Sequence, residues 1–344
     1  MKKLLLIVLA IVVIMAAAAA WVLFGVGTGF SSKKEILYIR TNNATKEAVL
    51  DSLSKNKIVN RLEVFEWAAG RMNYWNMIKP GKYEITKGSS IIEIIRKLRN
   101  GDQTPVKLVI TKLRTKEDLA RLVDKKFESD SLQMTTYFKS SDFLQQHNID
   151  SQNILTLVLP DTYEYFWNST PQKIFDKIIK ASEKFWTNER KQKAAALSLM
   201  PSQAYTLASI VEEETNADKE KSDIASVYLN RISKGMPLQA DPTVKFALKD
   251  FGLRRIYFKH LAIESPYNTY KNKGLPPGPI CTPSRKTIDA VLNANKTDYL
   301  YFVASPEFDG THLFSNTYDE HQKKAKQYQE ALNKRESART NTAP

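Results

Sequence analysis

"LASIVEEETN", residues 207–216, runs from an apolar segment straight into three consecutive acids, Glu212, Glu213 and Glu214. With Ser202 as a candidate N-cap, the segment reads as a helix whose last turn carries the acids. A helix turns about 100° per residue. With Ala204 at the centre of the buried face, Leu207, Ala208, Val211 and Thr215 lie within about 60° of it. Glu213 falls roughly opposite, toward solvent. Glu212 and Glu214 sit about 80° to either side, on the two margins of the apolar stripe. A margin half-desolvates a carboxyl, and desolvation and neighbouring acids both raise its pKa. A carboxylic acid still protonated near neutrality is what a general acid needs. Acids at a helix C-terminus also oppose the macrodipole, and such local conflicts concentrate at functional sites. The blander reading is a solvated acidic helix end with Lys219 and Lys221 nearby. Helical geometry sets Glu213 aside and leaves Glu212 and Glu214 as equal candidates.

Outward from this helix the pattern is α+β. "EILYIRTN" reads as a strand, followed by a helix with Val49, Leu50, Leu53 and Ile58 on one face. Pro80-Gly81 marks a turn into the alternating "KYEI". "TKGSSIIEIIRKLRNGDQ" and "RTKEDLARLVDKKF" each have a Ser or Thr cap and an amphipathic run. Residues 116–200 look mainly helical, interrupted by "LPDTYEYFWN", whose crowded aromatics read as core. A second helix in "DKEKSDIASVYLNRISKG" ends at Lys234-Gly235. A loop into a short helix, a Pro/Gly-rich segment, the helix "SRKTIDAVLNA", the strand "YLYFVAS" and a charged terminal helix complete the chain. A polar tail is expected over 337–344.

The chain has 344 residues, 42% of them hydrophobic, so a substantial core is expected and wholesale disorder is excluded. Its net charge of +14 suits an anionic partner, whether nucleic acid, phospholipid headgroups or an acidic polymer. The N-terminus narrows that choice. No charge falls between Lys3 and Lys33, and Leu4 to Gly25 is about the 20 residues that span a bilayer. "AAAAA" could serve a signal peptidase, but "WVLFGVG" continues the apolar run beyond it. The expectation is an uncleaved, single-pass anchor over 4–25. Residues 1–3 would be cytoplasmic and the bulk of the chain on the outer side of the cytoplasmic membrane, although Lys33 and Lys34 blunt the charge asymmetry. Nucleic acid is then no partner. Cys281 is the one cysteine, so there is no intrachain disulfide, and no metal-ligand spacing occurs. Neither metal nor cofactor is expected.

Two resemblances follow from the motifs. Over residues 35–110, the cadence of "GKYEI", "SSIIEII" and "LRNG" resembles LysM-like modules, which bind N-acetylated glycans. The bland reading is a small α+β packing module. Further on, "ASIVEEET", "IASVYLNRISKGMPLQADPTVKFAL", "PYNTYKNKGLPPGPICTPS" and "YLYFVAS…GTHLFSNTYDEHQ" together resemble the YceG-like (MltG) family. Its members are membrane-anchored endolytic murein transglycosylases. The resemblance runs from about Lys79 to Gln322 and implies a larger, mainly helical α+β catalytic domain over 111–336. It implies cleavage of the N-acetylmuramic acid β-1,4-N-acetylglucosamine bond inside glycan strands, with formation of a 1,6-anhydro end and termination of nascent strand elongation. Implied partners are peptidoglycan glycan strands, peptidoglycan synthases and the cytoplasmic membrane. Glu212 falls on the family's first glutamate and is the implied catalytic acid. Glu214, Asn230, Arg231, Gln239, Asp241, Thr243, Tyr267, Asn268 and Tyr270 are the implied substrate-binding residues. Gln239 and Asn268 suit acetamido groups, Tyr267 and Tyr270 pyranose faces, and Arg231 a carboxylate. His312 and His321 read as structural. One departure is "VITKLRTKEDLA", where many members carry an "EG" turn. The competing expectations are a hydrolytic muramidase using Asp241 or Glu214 as a second carboxylate, and a non-catalytic glycan-binding scaffold.

Overall fold

The computed structural model describes residues 2–253 and 255–341. The fold is mixed α+β and mostly helical, with three two-stranded sheets among the described residues. It divides into two compact units.

Unit 1 holds the chain up to Leu108, with Val123–Asp130 and Glu164–Pro171. It opens with α1 (Lys2–Phe24), which buries none of its residues and is long and apolar enough to cross a membrane. Met1 lies outside the described residues. The chain leaving α1 is tied down by its backbone. Gly27 N–H donates to Ser89 O at 3.0 Å, Gly29 N–H to Ile58 O at 3.2 Å, and Asn60 N–H to Gly27 O at 2.9 Å. A Cβ on Gly27 would stand 2.6 Å from Ile91 N, so only glycine fits this approach. At the end of α1 the Arg61 guanidinium lies 5.4 Å from the Trp21 ring centre.

β1 (Lys34–Ile39) and β2 (Gly81–Thr86) pair antiparallel, from Lys34↔Thr86 to Ile39↔Gly81. Their alternation turns Leu37, Ile39, Tyr83 and Ile85 into the core. Between them lie α2 (Lys46–Lys55), capped by Thr45, and α3 (Leu62–Arg71). α4 (Ile91–Asn100) follows with a Ser90/Glu93 capping box and ends at Gly101, φ 78°. Its isoleucines and Leu98 complete the unit's core. The strand and capped helices match the sequence reading. α3 was not anticipated.

β3 (Val106–Ile110) and β4 (Asp161–Tyr165) form the second sheet, and α5 (Lys116–Asp124) follows β3. Tyr163, Tyr165 and Trp167 are buried, as the core reading expects, whereas Phe166 is exposed. The units do not divide at a single point near residue 110. Unit 1 takes back two later segments, which a contiguous reading does not see. Trp167 packs 4.8 Å from the Tyr38 ring, Asn168 Nδ2 donates to Pro80 O, and Glu128 accepts from Thr41.

Unit 2 holds Val109–Leu122, Ser131–Tyr163 and the chain from Gln172. Its helices are α6 (Ser131–Lys139), α7 (Ser141–Gln146), α8 (Pro171–Phe185, from Gln172), α9 (Asn188–Ala196) and α10 (Pro201–Glu214). Next come α11 (Lys221–Ser233), α12 (Asp241–Leu248), α13 (Phe258–Leu261) and α14 (Arg285–Leu292). β5 (Tyr301–Ala304) and β6 (His312–Ser315) pair antiparallel, and α15 (Tyr318–Asn341) closes the chain. β6 was not anticipated, since four residues carry little periodicity. α15 runs past the point where the tail was expected to begin, and residues 342–344 lie outside the described ones. α10 is the central helix of the unit: Ala204, Tyr205, Leu207, Ala208, Ile210 and Val211 are all fully buried. It starts at Pro201, with Gln203 accepting from Met200 N–H, and not after Ser202. Proline is favoured at a first helical position because it lacks the N–H that would go unbonded there.

Candidate active site

The three acids of α10 diverge. Glu213, set toward solvent by the helical wheel, is instead covered by the segment that precedes α5. Lys112 Nζ is 3.0 Å and Arg114 Nη2 3.2 Å from its oxygens. Burial works against its charge, but the two cations outweigh that and hold its carboxyl below the ordinary glutamate value. The wheel erred because a wheel knows nothing of chain arriving from elsewhere.

Glu212 turns to the start of α14. Its Oε2 accepts from Ser284 Oγ at 3.2 Å and from Thr287 Oγ1, and Lys221 Nζ lies 3.4 Å away. Ser284 is also the cap of α14, receiving Thr287 N–H. A carboxylate here matches the positive end of α14 and a buried ammonium. Lys221 is bound on its other side by Asp218 at 2.8 Å.

Glu214 faces the opposite way, into a cavity of 320 Å³. Tyr228 Oη donates to its Oε1 at 2.5 Å. Among the described residues no other group hydrogen-bonds this carboxyl. Desolvation dominates and raises its pKa from 4.5 to about 7. The Tyr228 hydrogen bond and Lys245 oppose the rise, while Asp241 and Glu213 add to it.

The cavity gathers five of the ten sequence candidates: Glu214, Arg231, Gln239, Asp241 and Tyr270. Tyr270 Oη donates to Asp241 Oδ1 at 2.6 Å. Gln239 sits at φ 54°, in the left-handed region, so that its amide oxygen meets Arg231 Nη1 at 3.2 Å. Arg231 is nearly buried and forms no ion pair with Asp241 or a glutamate among the described residues. It donates to the carbonyls of Leu300, Pro237 and Leu238 and lies 5.1 Å from the Tyr301 ring centre. Its guanidinium therefore joins the chain entering β5 to the loop before α12, and the residue lines the cavity.

The other five do not line it. Glu212 is the α14 contact just described. Asn230 Nδ2 donates to Thr297 O and Tyr299 O. Thr243 is fully buried between Ala240 O and Thr269 Oγ1. Asn268 is fully buried and donates to Leu261 O and Ile263 O, so it is not placed to take an acetamido group. Tyr267 packs 4.7 Å from the Phe246 ring, and burial pushes its hydroxyl up to about 12. Thr243 and Thr269 hold the "LQADPT" and "YNTY" loops against each other.

Tyr228, Tyr301, His312 and His321 also line the cavity. His312 binds Glu220 through its backbone and Nδ1, and His321 stacks at 5.3 Å on Tyr301. Burial, with Arg231 nearby, pushes the His321 pKa down. The sequence signal for Tyr228 is its place three residues before Arg231, on the same face of α11.

The YceG-like family profile matches residues 37–327. A Bacillus subtilis protein named endolytic murein transglycosylase is 31% identical over 323 residues, covering 86% of this chain and 85% of its own. A Streptococcus pneumoniae protein of the same name is 26% identical over 329 residues, covering 85% of this chain and 58% of its own length. A crystal structure of a YceG-like protein from Listeria monocytogenes superposes with a TM-score of 0.56 at 28% identity, over 85% of this chain and 99% of that one. With the family profile spanning most of its length, the chain belongs to the YceG-like family.

Proposed function

We propose that this chain is an endolytic murein transglycosylase whose proton donor is Glu214, in place of the Glu212 that motif position implied. The observation that carries the reading is the Glu214 carboxyl, aimed into a polar cavity with its pKa raised to about 7. At neutral pH a large fraction is protonated and able to donate. Glu212 has the opposite surroundings, holding Ser284, Thr287 and Lys221.

In the proposed reaction Glu214 gives its proton to the glycosidic oxygen as the C1–O bond breaks. The muramyl ring passes through an oxocarbenium-like state. The Glu214 carboxylate then takes the proton of the C6 hydroxyl as that oxygen closes on C1. The products are a 1,6-anhydro end and a free 4-hydroxyl end, with no water consumed. Because the nucleophile is tethered to the reacting ring, its effective concentration is high and a second carboxylate is not required. Tyr228 orients the acid, and Gln239, Asp241 and Tyr270 offer polar contacts to sugar.

We further propose that α1 anchors the chain in the cytoplasmic membrane, with unit 2 on the outer side among the glycan strands. Residues 35–110 are read as a LysM-like module; the strand–helix–helix–strand order of β1, α2, α3 and β2 supports this.

The test is digestion of purified glycan strands by wild type, Glu214→Gln and Glu212→Gln, with mass spectrometry of the ends. An anhydro end is lighter by one water. Wild type and E212Q are expected to yield it, and E214Q only a small residual amount. Reducing ends alone would establish a muramidase. Activity in E214Q but not E212Q would return the acid to Glu212.

A further inference from the structure

Glu214 also borders a second cavity, of 450 Å³. The two cavities share Glu214, Ala304 and His312. The second is walled by the loop between β5 and β6 and by α15. Ser305 N–H donates to Thr311 O at 2.8 Å and closes this loop. Within it Phe308 holds φ 55°, in the left-handed region that bulky residues rarely enter. That conformation lays the Phe308 ring 5.8 Å from the Tyr328 ring and 4.6 Å beneath the Arg335 guanidinium. Arg335 forms no ion pair among the described residues. An arginine stacked by its face keeps its N–H edge available for a planar anion. Asn216, Ser305 and Thr311 line the same space.

We propose that this second cavity binds the part of the strand beyond the scissile bond, and that Arg335 recognises a carboxylate carried there. The inference rests on the endolytic reading above. Cleavage inside a strand requires saccharide on both sides of the acid, and Glu214 is the wall common to both cavities. Phe308 and Tyr328 supply aromatic surface beside Arg335 for apolar contact with a pyranose, and a bidentate guanidinium–carboxylate pair fixes register along the polymer. The carboxylate has two sources in murein: the lactyl group of peptide-free strands, or the stem peptide where the lactyl carboxyl is already in amide linkage.

Binding is measured separately from cleavage, using the full chain in detergent micelles carrying Glu214→Gln, with and without Arg335→Ala. The probes are peptide-free strands, peptide-bearing strands, and peptide-free strands whose carboxylates have been converted to amides. Arg335→Ala is expected to weaken binding about tenfold on carboxylate-bearing strands, the scale of one charge-assisted pair. It is expected to leave the amidated strands unaffected. Loss confined to peptide-free strands assigns the lactyl carboxylate, and loss confined to peptide-bearing strands assigns the peptide. Unchanged binding on both, or an equal loss on amidated strands, overturns the proposal. Absence of anhydro ends from wild type would sink the catalytic reading but leave this binding result readable.

Discussion

The two flanks of the last turn of α10 begin from the same residue type at mirror-related positions, yet they meet different worlds. On the Glu212 flank, Ser284, Thr287 and the buried Lys221 converge on one carboxylate oxygen. On the Glu214 flank a single tyrosine donates, and the remaining space is open cavity. The donors around the Glu212 carboxyl tie the end of α10 to the start of α14 and to Lys221. A carboxyl stripped of water with few donors keeps its proton within reach of neutral pH. Two glutamates separated by one residue thus acquire different chemistry from the segments that cover them.

The largest effect that could break this contrast is in rate. Glu214→Gln is expected to lower anhydro-product formation by about 10²- to 10⁴-fold, the usual worth of a general acid. Glu212→Gln is expected to leave the rate of the folded enzyme within a few fold. Comparable losses in both, measured as initial rates on purified strands, would erase the distinction.

Stability should show the reverse order. Removing the charge of Glu212 leaves Lys221, Ser284 and Thr287 with a weaker acceptor, at a cost of about 2 kcal/mol. Urea unfolding of E212Q should show this as a lower midpoint. The neutral Gln at Glu214 should cost less, because the fold already favours the protonated acid there. The raised pKa means that this favourable contribution is present in acid and lost as pH rises through about 7.

A finer test is the pH–rate profile. The proposed acid must be protonated, so activity should fall as pH rises through about 7. The Tyr228 hydrogen bond favours the carboxylate form. Tyr228→Phe should therefore move that limb to higher pH, apart from any loss in the plateau. A shift to lower pH would show that the tyrosine acts on Glu214 in some other way.

The smallest effect is expected at Glu213. Lys112→Ala should cost about 1 kcal/mol or less, since the cation is partly exposed. Glu213 titrates below the ordinary value, so its ion pairs contribute above the unfolded-state pKa and are lost as pH falls through the folded one. Thermal melts of K112A and wild type should converge in acid. A difference that persists there would mean that Lys112 acts through packing of its alkyl chain.

Local chemistry made much of the fold legible. Ser90, Glu93 and Gly101 frame α4 by capping alone, and β2 alternates cleanly. α3 and β6 were not seen, the first for lack of a capping side chain and the second for its length. At the site, the motifs did not separate residues that line the cavity from those packed behind it. Thr243 and Asn268 are as motif-like as Asp241 and Tyr270, yet both are fully buried.

The sequence by itself determined that α10 is an amphipathic helix ending in acids, that Leu4 to Gly25 is apolar enough to span a bilayer, and that the loops around Gln239 and Tyr270 belong together as family motifs. Only the tertiary structure decided which acid faces open space. That choice depends on Tyr228, Ser284, Thr287, Lys221 and Lys112, which reach the last turn of α10 from other segments of the chain. Solvation and pairing are properties of the assembled environment. The helical period fixes only the direction in which each side chain leaves the helix.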